Sequence, residues 1–301
     1  MTRLAVRVPA TTSNLGPGFD ALGLAVQIYN HVEIEPAASL SIEIAGEGSN
    51  SLPRAEENVM VQAFVRGCRE IGIAAPTMRW RCRHEIPTAR GLGSSAAAIV
   101  AGLMLADALS NGVLGLARVL DIATELEGHP DNAAPAVFGG LQSSVMANGV
   151  VLRVAVPTPA IPALALFIPT FEMKTHDARA LLPVSLSRAD AVFNISRTAL
   201  LVSALASGET RALDEATRDV LHQPARTALF PAMPLIFDAA RRAGAHGVWL
   251  SGAGSTLAAF APHDAAQSIA EAMAETAAAR GIAGRALVTD VDMHGAEWTR
   301  S

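Results

Sequence analysis

The 301-residue sequence predicts an α+β protein made of two domains, each combining a sheet with helices. Segments of strand and helix character are mixed along the chain, without the strict alternation of parallel α/β folds. The length also exceeds what one hydrophobic core usually serves. Near residue 150, two strand-like runs flank a proline-rich bend, and such bends often separate domains. We therefore expect an N-terminal domain of residues 1–155 and a C-terminal domain of residues 156–301.

The N-terminal half opens with three segments of strand character. Alternating apolar residues and β-branched runs predict strands over residues 4–9, 24–36 and 39–46. Asn58 is placed to cap a helix that runs to about Gly72. The following segments are predicted to be a strand over 78–87, a glycine-rich loop, and helices over 94–109, 114–126 and 133–138.

The C-terminal half continues with a strand on each side of the proline-rich bend at 157–162. Apolar periodicity then predicts helices around 177–182, 188–206, 209–219 and 234–245. The remaining segments are predicted to be a strand over 247–250, a turn over 251–256, a strand over 257–262, an amphipathic helix over 263–281 and a strand over 285–292.

The composition is that of a globular protein, with 50% hydrophobic and 17% charged residues. The net charge is −5 and there is no basic cluster, which argues against binding to nucleic acid or to an anionic membrane. No apolar run reaches transmembrane length unbroken, and the N-terminus lacks a signal-peptide pattern. Cys68 and Cys82 are expected to be buried, reduced thiols rather than zinc ligands. We therefore expect a cytoplasmic protein.

Lys174 is the only lysine in the chain. Pyridoxal enzymes, P-loop NTPases and protein kinases each need a lysine in a defined setting. Lys174 follows no Walker-type glycines and lies in no strand of the kind that carries the protein kinase lysine. These three classes are therefore disfavoured.

The strongest functional signal is the loop PTARGLGSSAAA, residues 87–98, between a strand and a long helix. Gly91 and Gly93 allow positive φ and let a ligand approach the backbone closely. Ser94 and Ser95 are expected to start the helix as N-cap residues do, with free N–H groups at the positive end of the helix dipole. This is the chemistry of an anion site, although an ordinary capped helix can share it. The loop lacks a Walker lysine and a G-x-S-x-G elbow.

Two more segments interrupt regular structure with polar residues and glycines. Residues 8–25 place Asn14 and Asp20 in a break between two strands, which could line a pocket or form a purely structural loop. Residues 249–260 place a glycine turn between two apolar strands, a pattern that is usually a simple hairpin.

A fourth segment, residues 125–140, places several polar residues after a helix. Glu127 ends the predicted helix, and its carboxylate could hold Mg²⁺ together with phosphate oxygens. His129 is more often a structural, hydrogen-bonded residue at such a place. Asp131 could simply cap the next helix.

Together and in this order, the four segments resemble the motifs of the GHMP small-molecule kinases, and especially of the branch that phosphorylates homoserine. VPATTSNLGPGFDALGLA is similar to the N-terminal motif of that branch, and PTARGLGSSAAA to the family's ATP loop. EGHPDNAAPAVFGG resembles the segment that separates this branch from its mevalonate and galactose relatives. SGAGST resembles the third motif, with Ser255 where proline is common, a change we expect to matter little. The resemblance spans nearly the whole chain.

The resemblance implies a two-domain GHMP kinase fold. Its N-terminal domain is like the second domain of ribosomal protein S5, its C-terminal domain is ferredoxin-like, and the active site lies between them. The implied activity is ATP-dependent phosphorylation of the hydroxyl of L-homoserine to O-phospho-L-homoserine, a step of threonine biosynthesis. Mg²⁺ is the implied cofactor, and transfer is direct, with no obligatory strong base. The implied partners are ATP and L-homoserine, without nucleic acid or membrane, and a homodimer is compatible with the family.

The resemblance also implies roles for particular residues. The implied ATP-binding residues are Pro87, Thr88, Ala89, Arg90, Gly91, Leu92, Gly93, Ser94, Ser95, Ala96 and Ala97. The residues implied around the hydroxyl and amine of the substrate are Asn14, Asp20 and Asn132. Thr175 and Arg179 match the family's T-x-x-x-R-x-x-L-P stretch. Arg226 matches its E-P-x-R-x-x-L-x-P stretch, in which Gln223 replaces the glutamate and alters the polar network of that region.

Charge complementarity agrees with these roles. The carboxylate of homoserine suits the planar guanidinium groups of Arg179 and Arg226, and its ammonium suits Asp20. Glu127, with Ser94 or Ser95, is expected to hold Mg²⁺ against the β- and γ-phosphates, with Glu125 as the alternative ligand.

Three other functions stay open at this point. The first is another GHMP kinase, acting on mevalonate or a sugar. The second is a non-catalytic nucleotide-binding regulator on the same fold, which would be expected to lose Glu127 or the loop serines, whereas this chain keeps both. The third is a serine hydrolase using Ser94 or Ser95, for which the chain lacks an elbow and an evident histidine partner.

Overall fold

The computed structural model describes residues 3–301, which form two sheets with helices packed against them. The strands in chain order are β1 Leu4–Ser13, β2 Leu22–Pro36, β3 Ser41–Gly46, β4 Met78–His84, β5 Leu141–Ala147, β6 Val150–Val156, β7 Ala163–Pro169, β8 Gly247–Leu250, β9 Leu257–Ala261, β10 Gly284–Thr289 and β11 Glu297–Arg300. The α-helices are α1 Val59–Glu70, α2 Ser94–Leu109, α3 Leu116–Glu127, α4 Pro130–Phe138, α5 Thr175–Ala180, α6 Arg188–Ser207, α7 Leu213–Ala216, α8 Gln223–Arg226, α9 Met233–Arg242 and α10 Ala266–Ala278.

The larger sheet has seven strands and contains most of the N-terminal half. β11, β1, β2, β4 and β3 are neighbours in that order, and the start of β2 also pairs with the β5–β6 hairpin. β3 and β4 are parallel, whereas the other pairs are antiparallel. α2 packs between this sheet and α1, and it is buried along most of its length. Small residues allow this close packing, because a Cβ on Gly102 would lie 2.2 Å from the carbonyl oxygen of Met60.

The smaller sheet has four antiparallel strands in the order β10, β7, β9 and β8. α9 and α10 cover it and form a second hydrophobic core with Phe167, Ile236 and Met273 among its fully buried side chains. The two sheets meet where β2 passes β10, and the N–H of Gln27 donates to the carbonyl of Asp290 at 3.0 Å. The predicted two-domain α+β class is therefore confirmed.

The last strand, β11, does not follow the predicted division of the chain into residues 1–155 and 156–301. β11 pairs antiparallel with β1, so the C-terminal end of the chain belongs to the first sheet. The indole N–H of Trp298 donates to Asp107 on α2 at 3.2 Å, and this contact helps to hold β11 against the first sheet. Four residues with no alternating apolar pattern give too little signal for a strand, so β11 is absent from the sequence prediction.

Most predicted elements are confirmed, and the differences have local causes. Asn58 caps α1 by accepting a hydrogen bond from the N–H of Met60 at 3.0 Å. β5 and α8 were not predicted, because β5 is partly polar and α8 is a single turn. The predicted helix over 209–219 is wrong beyond α7. There the hydroxyl of Thr217 donates to the carbonyl of Leu213, and Asp219 accepts the N–H groups that start the next turn.

Cys68 and Cys82 are both buried and unbridged, as expected. Burial raises the pKa of the Cys68 thiol to about 11 and that of Cys82 to about 12.

Within residues 3–301, α6 is the one helix long and apolar enough to cross a membrane by length and composition alone. Helices that never meet a membrane also pass this test. Arg197 lies inside α6, and the helix packs against α7 and β6.

Candidate active site

A cleft of about 290 Å³ opens between the two sheets. From the N-terminal side it is lined by the loop before β2, the ATP-loop motif and the segment between α3 and α4. From the C-terminal side it is lined by the segment that starts α5, by α8 and by the turn between β8 and β9. The four motifs of the sequence therefore meet in one place.

The glycine-rich loop ends at the first turn of α2. Gly93 precedes the helix with φ +68°, and Ser94 is its first residue. The prediction that the helix starts at Ser94 and Ser95 is confirmed, but the cap position is Gly93, and no side chain of the described residues caps the helix. Both serines still line the cleft, and the first N–H groups of α2 have no acceptor within the helix. The positive end of the dipole of α2 therefore faces the cleft, where an anion can bind.

Packing also requires the two glycines of this loop. A Cβ on Gly93 would lie 2.0 Å from the hydroxyl oxygen of Thr11, and a Cβ on Gly91 would lie 2.1 Å from the carbonyl oxygen of Ser251. Both have positive φ. Substitution of either glycine would therefore disturb the fold as well as ligand approach.

The turn between β8 and β9 holds the glycine-rich loop from the other side. The Ser251 hydroxyl donates to the carbonyl of Gly91 at 2.6 Å, and the Thr256 N–H donates to the carbonyl of Arg90 at 3.0 Å. Ser255, at the position where proline is common, donates to the carbonyl of Phe171 at 2.6 Å. This turn is therefore a support for the loop and more than a hairpin.

Not every implied ATP-loop residue lines the cleft. Ala89, Gly91, Gly93, Ser94 and Ser95 do. The residues outside the cleft lining are Pro87, Thr88, Arg90, Leu92, Ala96 and Ala97. The guanidinium of Arg90 instead donates to carbonyls of Thr88 and Pro169, so it joins the loop to the end of β7.

Glu127 stands at the C-terminal end of α3, beside the start of α2. The hydroxyl of Ser95 donates to its Oε2 at 2.7 Å, and Ser94 is the next residue along the same rim. Glu125 lies outside the lining of the cleft and forms a surface ion pair with Arg66 at 3.1 Å. Of the two carboxylates weighed from the sequence, only Glu127 reaches the cleft.

Asp20 and Arg179 face each other across the cleft and form a bidentate ion pair. Arg179 Nη2 donates to Asp20 Oδ1 at 2.6 Å, and Nη1 donates to Oδ2 at 3.0 Å. The hydrogen bonds to Asp20 raise the pKa of Arg179. The two groups expected to bind opposite ends of a zwitterion thus neutralise each other in this structure.

Arg226 is the most unusual cation of the site. It is only 2% exposed and has no ion pair with a carboxylate among residues 3–301. Its Nη1 donates to the Gly252 carbonyl at 2.8 Å and to His222 Nδ1 at 2.9 Å, while Nε is buried and has no acceptor among the residues that the structure describes. Burial, and then the charge of Arg179, lowers the pKa of Arg226 to about 10. A buried charge without a counter-charge is costly, so an anion bound beside this group would be stabilising.

Asn14 and Asn132 are buried residues of the cleft lining, and protein contacts already use much of their hydrogen-bonding capacity. Asn14 donates to the Gly252 carbonyl at 3.0 Å and accepts the N–H of Asp20 at 3.1 Å. Asn132 accepts from the Thr11 hydroxyl at 2.8 Å and donates to the Ser13 hydroxyl at 3.1 Å.

His129 and Asp131 also line the cleft. The sequence favoured a structural role for His129 and left a capping role open for Asp131, which instead lies inside the first turn of α4. His129 Nδ1 lies 2.5 Å from Asp131 Oδ1. Burial lowers the pKa of His129, but the hydrogen bond and charge of Asp131 outweigh burial and raise it overall. With Asp20, the two side chains form a cluster of metal-ligand type. The carboxylates of Asp20 and Asp131 already hydrogen-bond to Arg179 and His129, so this cluster is a poor magnesium site.

Thr175 and Lys174 reach the cleft from the start of α5. Thr175 is the first residue of that helix and is exposed. The preceding segment is tied to the glycine-rich loop, because the N–H of Met173 donates to the carbonyl of Ala89 at 3.1 Å. The only lysine of the chain therefore lies beside this loop, in a setting unlike that of a Walker or protein kinase lysine.

Gln223 faces away from the cleft and supports α8. Its Oε1 accepts the N–H of Leu250 at 2.7 Å, which joins α8 to β8. A carboxylate could accept the same hydrogen bond, so the replacement of the family's glutamate leaves this contact in place.

Phe19 is a cleft residue that the sequence did not reveal. Its ring lies 5.3 Å from the Arg179 guanidinium and 5.6 Å from that of Arg226, within cation–π distance of both. The only signal for it in the sequence was its position directly before Asp20. That signal is weak, because an aromatic residue in a loop more often packs onto a hydrophobic core than lines a site.

Two models of one known protein family together match about half of the chain. The family model described as GHMP kinases N terminal domain matches residues 58–140, and that described as GHMP kinases C terminal matches residues 201–279. The chain is 42% identical over 292 residues to the homoserine kinase of Desulfitobacterium hafniense, covering 97% of this chain and 98% of the relative. It is 40% identical over 306 residues to the homoserine kinase of Synechocystis sp., covering 100% and 99%.

Solved structures give a consistent result. The crystal structure of homoserine kinase from Cytophaga hutchinsonii is similar with a TM-score of 0.89 and 29% identity, covering 99% of this chain and 97% of that one. The structure of L. major mevalonate kinase in complex with R-mevalonate has a TM-score of 0.70 and 16% identity, covering 96% of each chain. At that identity the second likeness shows a shared fold alone.

Proposed function

The chain belongs to the GHMP kinase family, and we propose that, like the homoserine kinases it resembles, it transfers the γ-phosphate of ATP to the hydroxyl of L-homoserine. The product is O-phospho-L-homoserine, and the reaction is a step of threonine biosynthesis. The observation that carries this proposal is the buried guanidinium of Arg226. It lines the same cleft as the anion site at the start of α2, and no carboxylate of the described residues pairs with it.

ATP is proposed to bind with its phosphates at the glycine-rich loop. The free N–H groups at the start of α2 and the hydroxyls of Ser94 and Ser95 offer donors to phosphate oxygens. The support from the β8–β9 turn holds this loop in one conformation, so the donors are oriented before ATP arrives. Such preorganisation is the main requirement of phosphoryl transfer, which depends on position and charge neutralisation.

Mg²⁺ is proposed to bind at Glu127. The donor set fits this ion, because Mg²⁺ prefers one or two carboxylates with hydroxyl and phosphate oxygens. Ser95 is the better placed of the two serines, since its hydroxyl already contacts Glu127 at 2.7 Å. When bound there, the ion neutralises charge on the β- and γ-phosphates.

Homoserine is proposed to break the ion pair between Asp20 and Arg179 and to form new ion pairs with these side chains through its own charged groups. Its ammonium would take one side of Asp20, and its carboxylate would take Arg179 together with Arg226. Because Asp20 and Arg179 are already oriented by each other, the zwitterion enters a site of matched charge. Asn14, Asn132 and Thr175 line the remaining cleft and are proposed to surround the hydroxyl end.

We expect L-homoserine to stimulate ADP release from MgATP far more than mevalonate, galactose or L-threonine does. Mevalonate and galactose lack the ammonium for Asp20, and threonine has its hydroxyl one carbon closer to the charged groups. The measurement is a coupled ADP-release assay with this panel at equal concentrations. Equal or better turnover of mevalonate would overturn the homoserine assignment and leave the family unchanged. ADP release that no alcohol stimulates would favour the non-catalytic regulator.

A second copy of this chain is the proposed macromolecular partner. β6 is an edge strand of the larger sheet, and its hairpin exposes Leu152 by 60% and Val154 by 68%, with Val145 beside them. Exposed apolar edges of this kind are usually covered in solution.

We expect the protein to sediment as a dimer and Leu152→Lys to shift it toward the monomer, measured by analytical ultracentrifugation. A monomeric wild type, or a dimer unaffected by this change, would remove β6 as the interface. A cytoplasmic location stays a prediction from the composition.

A further inference from the structure

His222 lies directly before α8 and is fully buried. Both of its ring nitrogens are used in hydrogen bonds that join different parts of the active site. Nε2 lies 2.7 Å from the carbonyl oxygen of Gly16, in the loop that carries Asn14 and Asp20. Nδ1 lies 2.9 Å from Nη1 of Arg226. One imidazole therefore connects the N-terminal substrate loop to the buried arginine.

The partners determine the protonation of this ring. A guanidinium can only donate, so Nδ1 must accept from Arg226 and the ring proton must be on Nε2, where it is donated to Gly16. Burial lowers the pKa of His222, which favours this neutral form. The nearest carboxylate, Asp219, is 3.6 Å from Nε2, but it accepts backbone N–H groups of Leu221, His222 and Gln223. Asp219 therefore serves mainly as an acceptor for the backbone N–H groups at the start of α8.

The hydrogen bond to His222 limits how Arg226 can turn. With the two hydrogens of Nη1 given to His222 and to the Gly252 carbonyl, Nε and Nη2 are the donors left for a ligand. The Phe19 ring lies 5.3 Å from the imidazole ring and closes one side of the arrangement. A planar guanidinium held at one nitrogen presents its opposite edge in a fixed direction.

We propose that neutral His222 is a positioning residue that orients Arg226 toward the carboxylate of the substrate and couples that orientation to the substrate loop at Gly16. This role rests on the proposed function, because it assumes that Arg226 binds the carboxylate. It goes beyond that function by assigning specificity to a residue that does not touch the substrate. Nothing else in the described chain accepts a hydrogen bond from Arg226 except Gly252, whose carbonyl is fixed by the backbone.

The test compares three substitutions. His222→Leu removes both hydrogen bonds at similar volume. His222→Asn can place an acceptor near the position of Nδ1, and His222→Gln can place a donor near that of Nε2. We expect His222→Leu to raise KM for homoserine by about 10-fold or more, with KM for ATP changed less than about twofold. His222→Asn should recover most of this loss and His222→Gln little of it.

A second readout uses homoserine methyl ester, which has no carboxylate charge. His222→Leu should reduce kcat/KM for the ester by less than about twofold, because the orientation of Arg226 then matters little. After Arg226→Met, the further change His222→Leu should have almost no effect on homoserine turnover. The matched control is His84→Leu, since His84 is also buried but lies outside the cleft lining. It should change kcat/KM for acid and ester by the same factor, whatever its effect on thermal stability.

Equal losses on acid and ester, or equal recovery by Asn and Gln, would show that His222 is merely structural and would overturn the proposal. If His222→Leu does not fold, the Asn and Gln variants make the same comparison. A wild-type protein that phosphorylates neither homoserine nor its ester would instead overturn the proposed function. The two failures are therefore distinguishable.

Discussion

Arg226→Met is expected to lower kcat/KM for homoserine by about 30-fold to several thousand-fold. Removing one partner of a desolvated, hydrogen-bonded charge pair typically costs about 2–5 kcal/mol. Arg226 is 2% exposed and has no carboxylate partner in the described chain, so the substrate carboxylate would be its only full counter-charge. The loss should appear mainly in steady-state kinetics with varied homoserine, while the affinity for ATP stays close to that of wild type.

Conservative and surface variants separate this role from general damage. Arg226→Lys should recover little, because an ammonium cannot reproduce the planar fork or reach both His222 and the ligand. Arg211→Ala, at an exposed arginine paired with Glu209, should leave turnover unchanged. Full activity of a folded Arg226→Met protein would show that the carboxylate is bound elsewhere.

The effect of Arg179→Ala should be smaller than that of Arg226→Met. Arg179 is partly exposed and already paired with Asp20, so its loss leaves Asp20 free for the ammonium while removing one guanidinium. Arg179→Ala should reduce kcat/KM for homoserine esters less than it reduces kcat/KM for homoserine. The sequence alone suggested that the two arginines bind the carboxylate of homoserine together. From the structure we expect Arg226 to contribute more than Arg179.

Glu127→Gln is expected to reduce kcat by about 100-fold or more and to raise the Mg²⁺ concentration needed for half-maximal activity. Loss of a carboxylate ligand weakens the ion that neutralises developing phosphate charge, an effect of several kcal/mol, and about 1.4 kcal/mol corresponds to tenfold in rate. The amide retains the size of the side chain and can still accept from the Ser95 hydroxyl, so the fold should be preserved. The measurement is a Mg²⁺ titration of turnover at saturating ATP and homoserine.

The same helix provides the control for this prediction. Glu125→Gln changes an equivalent carboxylate two residues earlier, outside the cleft and paired with Arg66 on the surface. It should alter neither kcat nor the Mg²⁺ requirement. If both variants behave like wild type, carboxylates of α3 do not hold the ion. A selective effect of Glu125→Gln would move the site there.

Much of the fold follows from local patterns in the sequence. The boundaries of α2 agree with its apolar run, and Asn58 caps α1 as its residue type suggests. Such features depend on neighbours within a few residues, which single-sequence patterns record well. The exceptions are short elements such as β11 and α8, which long-range contacts hold in place.

The sequence by itself determined the family, the reaction class and the residue types that meet in the cleft, because ordered motifs and single charged residues are visible without coordinates. Only the tertiary structure decided which charged side chains of the cleft pair with each other and which stay available for a ligand. It paired Asp20 with Arg179, placed Glu127 rather than Glu125 beside Ser95, and connected Arg226 to Gly16 through His222. The physical reason is that charge neutralisation and burial depend on contacts between residues far apart in the chain. His222 and Gly16 are separated by 206 positions, so no local pattern could show their contact.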